Sequence, residues 1–534
     1  MNEKLKAQFK DGVKDLERDL AAFEAGEIDR RTYKTISGAF GTYAQRTEGN
    51  MLRLRIPGGR LTKQKLAFLA GMIETYQINC IKMTSVQNIQ LHNLSRKTVL
   101  EIMKKAMDAD IITYGCGGNY FRNVMASPLS GVEKGEYFDV MPWAEAASDY
   151  TLTRLRDVHL PRKLKIAFSN GPANTTHATF RDLGFAARPD GTFDVYCAGG
   201  LGPNPRLGIK VAEAMAPETI PACIDAMVSV FTTFGNYQKR LLARSRYLQH
   251  TLGIENLKAE YEIALEETLK TSPRLPKELS LFEKLYLPIP QKESTPGEKL
   301  LTTKKGISLG REMNHPRIIH QKQPGLYTVK YHPIGGLLPP AFPERLYQTI
   351  KDMPYVEGRI SPDGTLYLIH LTAEEADRVL AITEDSGITP LECSTSCIGA
   401  SLCQHGIRDS QALLREIIKA ADKAGIPAGA LPSLHISGCP SSCGTHQTNI
   451  IGFQGGTKLA DGQPMPAFVL IFNGCARQGE ENLGETLGTI FQEEIPEFMV
   501  ELGKMVAKSG EDFAAWIAFN ETSFRELASK YIDR

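Results

Sequence analysis

The chain carries the same succession of sequence features twice, and this internal repeat restricts its possible folds more than any other property. A turn with paired glycines at residues 56–61 resembles a second turn at residues 333–338. From the first glycine of the turn to a histidine in the next predicted strand, the interval is 34 residues in one copy and 35 in the other, from Gly58 to His92 and from Gly335 to His370. Agreement of order and spacing over several elements indicates a duplicated supersecondary unit.

The repeated unit is predicted to be strand–helix–strand–helix. Apolar residues near i, i+3 and i+4 predict two helices in each copy, over 63–76 and 96–107, and over 343–352 and 372–382. A strand is predicted between the helices of each pair. Further along, each half adds strands that belong to a larger α/β unit, at 164–168 and 193–200, and at 434–437 and 468–475.

The repeat also predicts where the chain divides. Its 534 residues exceed what one core usually holds. The region rich in proline and lysine between the halves reads as a linker, and the first 45 residues, charged and helical in pattern, either wrap the core or stay solvated. The predicted units are a helical extension (1–47), a first half-domain (48–114), a larger α/β domain (115–267), the linker (268–325), a second half-domain (326–390) and a second larger α/β domain (391–534).

The bulk composition excludes several classes of protein. The net charge is +1 with 23% charged residues, which favours neither a nucleic-acid-binding protein nor a disordered one. No apolar run reaches the roughly 18–20 residues of a membrane span. Residues 1–6 lack the apolar core of a signal sequence. We therefore expect a cytoplasmic protein with no nucleic-acid or membrane partner.

Five of the ten cysteines lie between residues 393 and 443. Five residues separate Cys397 from Cys403, and three separate Cys439 from Cys443. Structural zinc prefers two to four residues within a ligand pair, whereas thiolates also bind iron–sulfur clusters. The spacing favours a cluster, with a zinc site and unrelated buried thiols as the alternatives.

The first half carries cations where the second half carries cysteines. Arg122 lies 64 residues after Gly58, much as Cys397 lies 62 after Gly335. After a Leu-Pro pair, the first half continues with Lys163 and Lys165 and the second with Cys439 and Cys443. A pseudo-twofold fold would bring the two sets of loops together. The pattern predicts a metal centre facing positive charge, which suits the reduction of a small anion.

At these residues the sequence resembles the siroheme-containing sulfite and nitrite reductases. The similarity extends over roughly residues 38–505 and includes segments 51–59, 90–92, 122–124, 160–165, 397–403 and 438–443. The resemblance implies an α+β fold that is internally duplicated about a pseudo-twofold axis. Two ferredoxin-like half-domains would pack together, and two larger α/β lobes would bind siroheme and a [4Fe–4S] cluster.

The resemblance also implies roles for individual residues. The cluster would be held by Cys397, Cys403, Cys439 and Cys443, and Cys443 would also be the axial ligand of the siroheme iron. The siroheme pocket would include Arg55, Gln87, Gln90, His92 and Asn123. The catalytic cations would be Arg53, Arg122, Lys163 and Lys165, since Arg binds oxyanions in a forked manner and Lys can donate a proton. Cys393 is expected to be a buried thiol outside the ligand set.

The predicted reaction is the six-electron reduction of sulfite to sulfide, with reduction of nitrite to ammonia as the alternative. Lys165 favours sulfite, because relatives that prefer nitrite more often have Asn there. No FMN, FAD or NAD(P)H motif of any strength is found, so the electrons are expected from ferredoxin or another separate donor protein.

Two features leave other interpretations open. Val86 stands where the family usually has an Arg that helps to hold siroheme, so either Lys82 or Arg55 compensates or the pocket differs. This supports a non-catalytic relative that keeps the cluster, and a zinc-stapled binding protein is the third hypothesis. Histidines recur at repeat positions and are expected to be hydrogen-bonded core residues rather than haem ligands, namely His92, His177, His370 and His446.

Overall fold

A computed structural model describes residues 3–277 and 312–534. The central part of the predicted linker, residues 278–311, lies outside the described residues. The chain begins with two helices, α1 (Glu3–Glu24) and α2 (Arg30–Ala39). The small unit that follows consists of β1 (Thr42–Ala44), β2 (Asn50–Leu54), β3 (Arg60–Leu61), α3 (Lys63–Tyr76), β4 (Ile81–Met83), β5 (Ile89–Leu94) and α4 (Arg96–Ala106).

The first larger unit carries five strands and four helices. They are β6 (Phe121–Ala126), α5 (Met141–Thr153), β7 (Leu164–Ser169), β8 (Leu183–Ala187), β9 (Phe193–Cys197), β10 (Ile209–Met215), α6 (Ile220–Phe234), α7 (Leu248–Thr251) and α8 (Ile254–Thr271). Short 3-10 turns connect several of these elements.

The second half repeats this order. Its small unit consists of β11 (Ile318–His320), β12 (Tyr327–Tyr331), β13 (Leu337–Leu338), α9 (Phe342–Ile350), β14 (Glu357–Ile360), β15 (Leu366–Leu371) and α10 (Ala373–Ala381). Its larger unit consists of β16 (Thr395–Ser396), α11 (Ser410–Lys423), β17 (His435–Ser437), β18 (Ile451–Ala460), β19 (Gln463–Phe472), β20 (Glu485–Phe491), α12 (Ile495–Ser509) and α13 (Phe513–Ile532).

The two small units form one body because they exchange a strand. Strand β3 pairs with β14 of the other half, with Arg60 opposite Arg359, and β13 pairs with β4, with Leu337 opposite Lys82. The two five-stranded sheets therefore have the matching orders β1-β2-β5-β4-β13 and β11-β12-β15-β14-β3. The α+β class and the packing of two ferredoxin-like units together are confirmed.

The paired glycines of the repeat form the turns that precede the exchanged strands. Gly59 and Gly335 have positive φ angles of 72° and 61°. A Cβ atom on Gly59 would lie 2.3 Å from the carbonyl oxygen of Ile360, and one on Gly335 would lie 2.3 Å from Oε1 of Gln411. Glycine is therefore required in both copies, for its backbone conformation and for close packing against the other half-domain or the cysteine-bearing lobe.

The two larger units have the same sheet topology. Their strand orders are β10-β9-β8-β7-β6 and β16-β17-β18-β19-β20. In each sheet the first three strands along the chain run parallel to one another, and each of the last two runs antiparallel to the strand before it. A Cβ atom on Gly184 or on Gly452 would lie 1.9 Å from a backbone carbonyl oxygen in the preceding loop. These two glycines mark equivalent positions in β8 and β18.

The strand register corrects one prediction about the repeat. Gly184 lies opposite Ala167 in β7, and Gly452 lies opposite His435 in β17. Lys165 therefore lies near the start of β7, before Ala167, whereas Cys439 lies beyond the end of β17. The prediction that the lysines and cysteines occupy equivalent places was wrong, since they lie at opposite ends of equivalent strands.

The N-terminal extension wraps the core. One face of α1 is buried, through Phe9, Val13, Leu16 and Leu20. Lys104 of α4 donates a 2.7 Å hydrogen bond to Glu17. Of the two arrangements that the sequence left open, packing is therefore the one adopted. No helix among the residues that the structure describes is long and apolar enough to cross a membrane.

Candidate active site

The four cysteines of the predicted cluster lie on two loops at one edge of the second larger sheet. Cys397 follows β16 directly, and Cys439 and Cys443 follow β17, which is the parallel neighbour of β16. The amide of Gly438 donates a 3.2 Å hydrogen bond to Sγ of Cys397. Because parallel strands end at the same edge of a sheet, the two loops meet there.

The four thiols act on one another electrostatically. Burial, and then the neighbouring Cys443, raise the pKa of Cys397 to about 11. Burial also raises the pKa of Cys403, with further contributions from Cys443 and Cys439. Cys443 itself is exposed. Cys443 thus lies within electrostatic reach of both Cys397 and Cys403, and it is the exposed member of the set.

The arrangement of these thiols bears on the choice of metal. In the described parts of the chain, no group of three or more His, Cys, Asp or Glu side chains is placed to hold a metal ion. A tetrahedral zinc site brings all its ligands to one ion, whereas a cubane receives each thiolate on a different iron and spreads them more widely. Four thiols are ligands of the type that a [4Fe–4S] cluster takes.

The end of the N-terminal extension holds the loop that carries Cys403. The amide of Arg46 donates a 2.9 Å hydrogen bond to the carbonyl of Leu402, and its guanidinium donates to the carbonyl of Gly406. Gln404 Nε2 donates at 3.1 Å to the carbonyl of Gln45. These hydrogen bonds could not be predicted from the sequence, because no pattern in residues 45–46 indicates a contact with residues 402–406.

Lys163 and Lys165 face the cysteines from the first half of the chain. Burial, and then the positive charges of Arg181 and Arg244, lower the pKa of Lys165 to about 7, while Cys443 and Asp182 oppose the shift. Burial, Arg244 and Lys165 lower the pKa of Lys163 well below its ordinary value. Two lysines of reduced basicity therefore lie within electrostatic reach of Cys443.

Arg53, on β2 of the first small unit, lies beside Arg122, on β6 of the first larger unit. Nη1 of Arg53 donates a 2.7 Å hydrogen bond to the carbonyl of Cys116, and Nη2 of Arg122 donates at 2.8 Å to the carbonyl of Gly118. Burial, followed by the charge of Arg53, lowers the pKa of Arg122 to about 9. Their buried Nε atoms have no hydrogen-bond partner among the described residues.

A buried ion pair that sequence analysis missed supports the lysines. Arg244 lies 3.0 Å from Asp182, whose side chain is fully buried. Asp182 also accepts a 3.0 Å hydrogen bond from the backbone amide of Lys165 and one from the Ser245 hydroxyl. The arginines at positions 240, 244 and 246 indicate a cationic segment, but nothing in the sequence points from them to Asp182.

Three residues predicted for the siroheme pocket make their hydrogen bonds within the protein. Arg55, with only 1% of its surface exposed, donates to the backbone carbonyls of Arg122 and Phe121. Nε2 of Gln87 donates at 2.8 Å to the carbonyls of Ala126 and Ile360. Asn123 donates through Nδ2 to the carbonyl of Ile56 at 2.8 Å, while its buried Oδ1 has no partner among the described residues. These contacts position the strands that carry the cations.

The remaining two pocket candidates lie on β5. His92 is buried, and neither ring nitrogen has a hydrogen-bond partner among the described residues. Burial, then Arg53 and Lys82, lower its pKa to about 4. Gln90 makes a weak 3.6 Å contact from Nε2 to Sδ of Met51. The prediction of a hydrogen-bonded core histidine is therefore wrong for His92 among the described residues.

The segment around Val86 reaches the cysteine loop directly. Ser85 Oγ donates a 2.7 Å hydrogen bond to the carbonyl of Cys443. Val86 itself packs against a small apolar cluster that includes Met125. Lys82, which sequence analysis offered as a replacement for the missing Arg, instead donates to the carbonyl of Gly335 in the other half.

The site as a whole is a cationic region that faces a set of thiols. It contains unpartnered donors on Arg53 and Arg122 and two lysines that burial disfavours in their charged form. Buried cations of this kind are stabilised by anions. The site therefore fits a cofactor rich in carboxylates and a small oxyanion.

Comparison with known proteins agrees with this geometry. Residues 43–109 match the model of the nitrite/sulfite reductase ferredoxin-like half domain, and residues 117–269 match that of the nitrite and sulphite reductase 4Fe-4S domain. A ferredoxin–nitrite reductase of Synechococcus elongatus is 28% identical over 474 residues, covering 85% of each chain. Over both segments the chain is therefore similar to the nitrite and sulfite reductase family. It is an oxidoreductase, and its cofactors are siroheme and a [4Fe–4S] cluster.

Sulfite reductase names also occur among the relatives. Sulfite reductase [ferredoxin] 1 of Mycolicibacterium paratuberculosis is 22% identical over 485 residues, covering 87% of this chain and 81% of the relative. The solved structure of the Mycobacterium tuberculosis NirA protein matches with a TM-score of 0.73 at 21% identity, covering 95% and 96% of the two chains. This likeness establishes the shared fold. The four cysteines lie outside the segments matched by the family models.

Proposed function

We propose that the chain reduces sulfite to sulfide. Bisulfite, six electrons and six protons give hydrosulfide and three waters, with the electrons supplied by a separate one-electron carrier such as ferredoxin. The observation that carries the proposal is the position of Lys163 and Lys165 within electrostatic reach of Cys443. An anion between them would lie beside both the positive charge and the thiols.

When bound, siroheme and the cluster would supply the electrons for the reduction. Four thiols would hold the cluster, namely Cys397, Cys403, Cys439 and Cys443. Cys443, as the exposed member of the set, is suited to contact siroheme as well. Siroheme carries many carboxylates, and the unpartnered Nε atoms of Arg53 and Arg122 are donors available to such groups, as is the one protonated ring nitrogen of neutral His92.

The chain's own residues would bind the oxyanion and deliver protons. Arg53 and Arg122 are held by the carbonyls of Cys116 and Gly118, so that little further side-chain freedom is lost on binding. An ammonium group with a lowered pKa gives up its proton more readily near neutral pH. Lys163 and Lys165 have this property and would donate protons as oxygen leaves as water.

The preference for sulfite rests on Lys165. A second ammonium beside Lys163 favours a bulkier and more highly charged anion over nitrite. Asp182 and Arg244 fix its backbone and surroundings, so the ammonium is part of a built site rather than a mobile surface group.

Nitrite is the second candidate substrate, and relatives named ferredoxin–nitrite reductases favour it, at 28% and 26% identity. In that reaction nitrite, six electrons and eight protons give ammonium and two waters. The same donors would serve both anions.

An absorption spectrum and a turnover assay test the function. Protein purified anaerobically from cells that make siroheme should show an intense Soret band and a red-region band, and should oxidise reduced methyl viologen with either anion. A broad shoulder without a Soret band would instead support the non-catalytic relative. Colourless, iron-free protein would overturn the proposal, and a higher kcat/KM for nitrite would assign the nitrite reaction.

A further inference from the structure

The hydroxyl of Ser410 lies between two acceptors that both belong to Cys397. Its Oγ is 3.0 Å from the sulfur atom of Cys397 and 3.0 Å from the backbone carbonyl oxygen of the same residue. Ser410 is fully buried, so bulk water does not reach the hydroxyl. A hydroxyl has one proton to donate, and the two acceptors therefore compete for it.

The backbone of Ser410 is held in place by the start of α11, of which it is the first residue. The carboxylate of Asp409 caps this helix by accepting hydrogen bonds from the amides of Gln411 and Ala412 at 3.0 and 3.1 Å. The hydroxyl proton can therefore pass from one acceptor of Cys397 to the other by rotation about the Cβ–Oγ bond, without movement of the backbone.

The carbonyl oxygen of Cys397 does not depend on Ser410 for a hydrogen bond. Nε2 of Gln411 donates to it at 2.9 Å, and the hydroxyl of Ser396 donates at 3.3 Å. A carbonyl oxygen has two lone pairs, and these two donors are enough to satisfy both. The Ser410 proton can turn away without leaving a buried acceptor unsatisfied.

The sulfur atom of Cys397 becomes the better acceptor when it binds iron. A free thiol has its own proton, so its S–H group can donate to Oγ of Ser410 while the hydroxyl donates to the carbonyl. Iron binds the thiolate, and the thiol proton is released. A charged sulfur accepts a stronger hydrogen bond than a neutral carbonyl does. The amide of Gly438, 3.2 Å away, donates to the same sulfur, so two donors then converge on it.

We propose that the Ser410 hydroxyl turns from the carbonyl to the sulfur of Cys397 when the cluster binds, and that this hydrogen bond raises the reduction potential of the cluster. Reduction adds negative charge, so a donor to a ligand sulfur stabilises the reduced cluster more than the oxidised one. The proposal rests on the proposed function, because it takes Cys397 as a cluster ligand, and it deepens that function by stating how the chain adjusts the affinity of the cluster for electrons. Ser410 acts through Cys397 and is a positioning residue.

The test measures the reduction potential of the cluster in the holoprotein of Ser410→Ala. A redox titration would be followed by EPR, with carbon monoxide on the ferrous siroheme so that only the cluster contributes a signal. We expect the midpoint potential to fall, and the ratio of reduced to oxidised cluster at a fixed potential to fall about tenfold, which is about 59 mV for a one-electron couple. Iron content, siroheme content and the KM for sulfite should stay at their wild-type values.

Two control variants separate this effect from a general disturbance of the lobe. Ser410→Thr retains a hydroxyl at the same position and should keep the wild-type potential. Ser394→Ala removes another fully buried hydroxyl three residues before Cys397, whose partners are the carbonyl of Leu391 and the amide of Leu434. This variant should also keep the wild-type potential, because the hydroxyl that it loses bonds to the backbone alone.

An unchanged potential in Ser410→Ala would overturn the proposal, as would an equal fall in Ser394→Ala. A cluster that fails to assemble in Ser410→Ala would overturn it too, since the hydroxyl would then be needed to hold the loop and not to set the potential. Wild-type protein that binds no iron and turns over neither anion would instead overturn the proposed function.

Discussion

The side chain of Ser85 donates a 2.7 Å hydrogen bond to the backbone carbonyl of Cys443. The two residues lie in different halves of the chain, and Cys443 is the exposed member of the four-cysteine set. A side chain of the first half thus fixes the backbone of the cysteine proposed to join the two cofactors.

Replacement of Ser85 by Ala should loosen this cysteine. Loss of one hydrogen bond corresponds to about 1 kcal/mol, and the holoprotein should release siroheme faster by a few-fold. The rate of siroheme release would be measured as the decay of the Soret band in the presence of an apo-haem acceptor protein. Ser85→Thr keeps the hydroxyl and should retain the wild-type rate, and equal rates for Ala and wild type would show that the contact has no role.

Replacement of Lys165 by Asn should move the substrate preference toward nitrite. It removes one of two ammonium groups near Cys443 and leaves the backbone amide that donates to Asp182. The ratio of kcat/KM for sulfite to that for nitrite should fall by about tenfold, the change expected for a lost charge contact of about 1.4 kcal/mol. An unchanged ratio would remove the basis for the sulfite preference.

The charge of Lys165 should also appear in the pH dependence. Its pKa is lowered to about 7, so the ammonium is present below pH 7 and lost as the pH rises through that value. The kcat/KM for either anion should therefore decline above pH 7, since that parameter reports the free enzyme. Lys165→Arg keeps its charge and should shift the decline to higher pH. An identical profile in this variant would assign the decline to another group.

Replacement of Arg46 by Ala should make the cluster more labile. The variant loses the hydrogen bond from the guanidinium to Gly406 and keeps the backbone contact with Leu402. A loss of about 1 kcal/mol corresponds to a rise of roughly fivefold in the rate of iron release to a chelator. Arg31→Ala, at an exposed position of α2, is the matched control and should leave that rate unchanged.

Replacement of Gly452 by Ala should destabilise the second larger lobe strongly. The new Cβ would lie 1.9 Å from the carbonyl oxygen of His446, and the overpacking should cost about 2 kcal/mol or more. Gly456→Ala is the control within the same strand, because its Cβ would meet nothing closer than 3.8 Å. Urea unfolding should separate the two, and equal midpoints would contradict the close approach.

Helices whose limits follow from the spacing of nearby apolar residues were predictable from the sequence. Helix α3 has the predicted limits, and α9 was predicted at 343–352 and observed at Phe342–Ile350. Thr62 caps α3, and its apolar spacing signals a buried face. The duplication was equally visible, because paired glycines are required at both crossing points.

The directions of long side chains and contacts between distant segments were not predictable. Arg55 points to the carbonyls of β6, a choice made by tertiary packing and not by the residues beside it. The pair formed by Asp182 and Arg244 joins residues far apart in sequence, and no local pattern links them. The strand register, which moved the lysines and cysteines to opposite strand ends, likewise depends on pairing across the sheet.

The reciprocal pairing of β3 with β14 and of β13 with β4 has a consequence for how such a chain can be divided. Either half produced by itself would expose the sheet edge that its missing partner strand covers, and unpaired edges recruit other chains. Two separately expressed halves should therefore associate through these edges. One half with the same swap could also pair with a second copy of itself, so this single chain retains the geometry of a symmetric dimer.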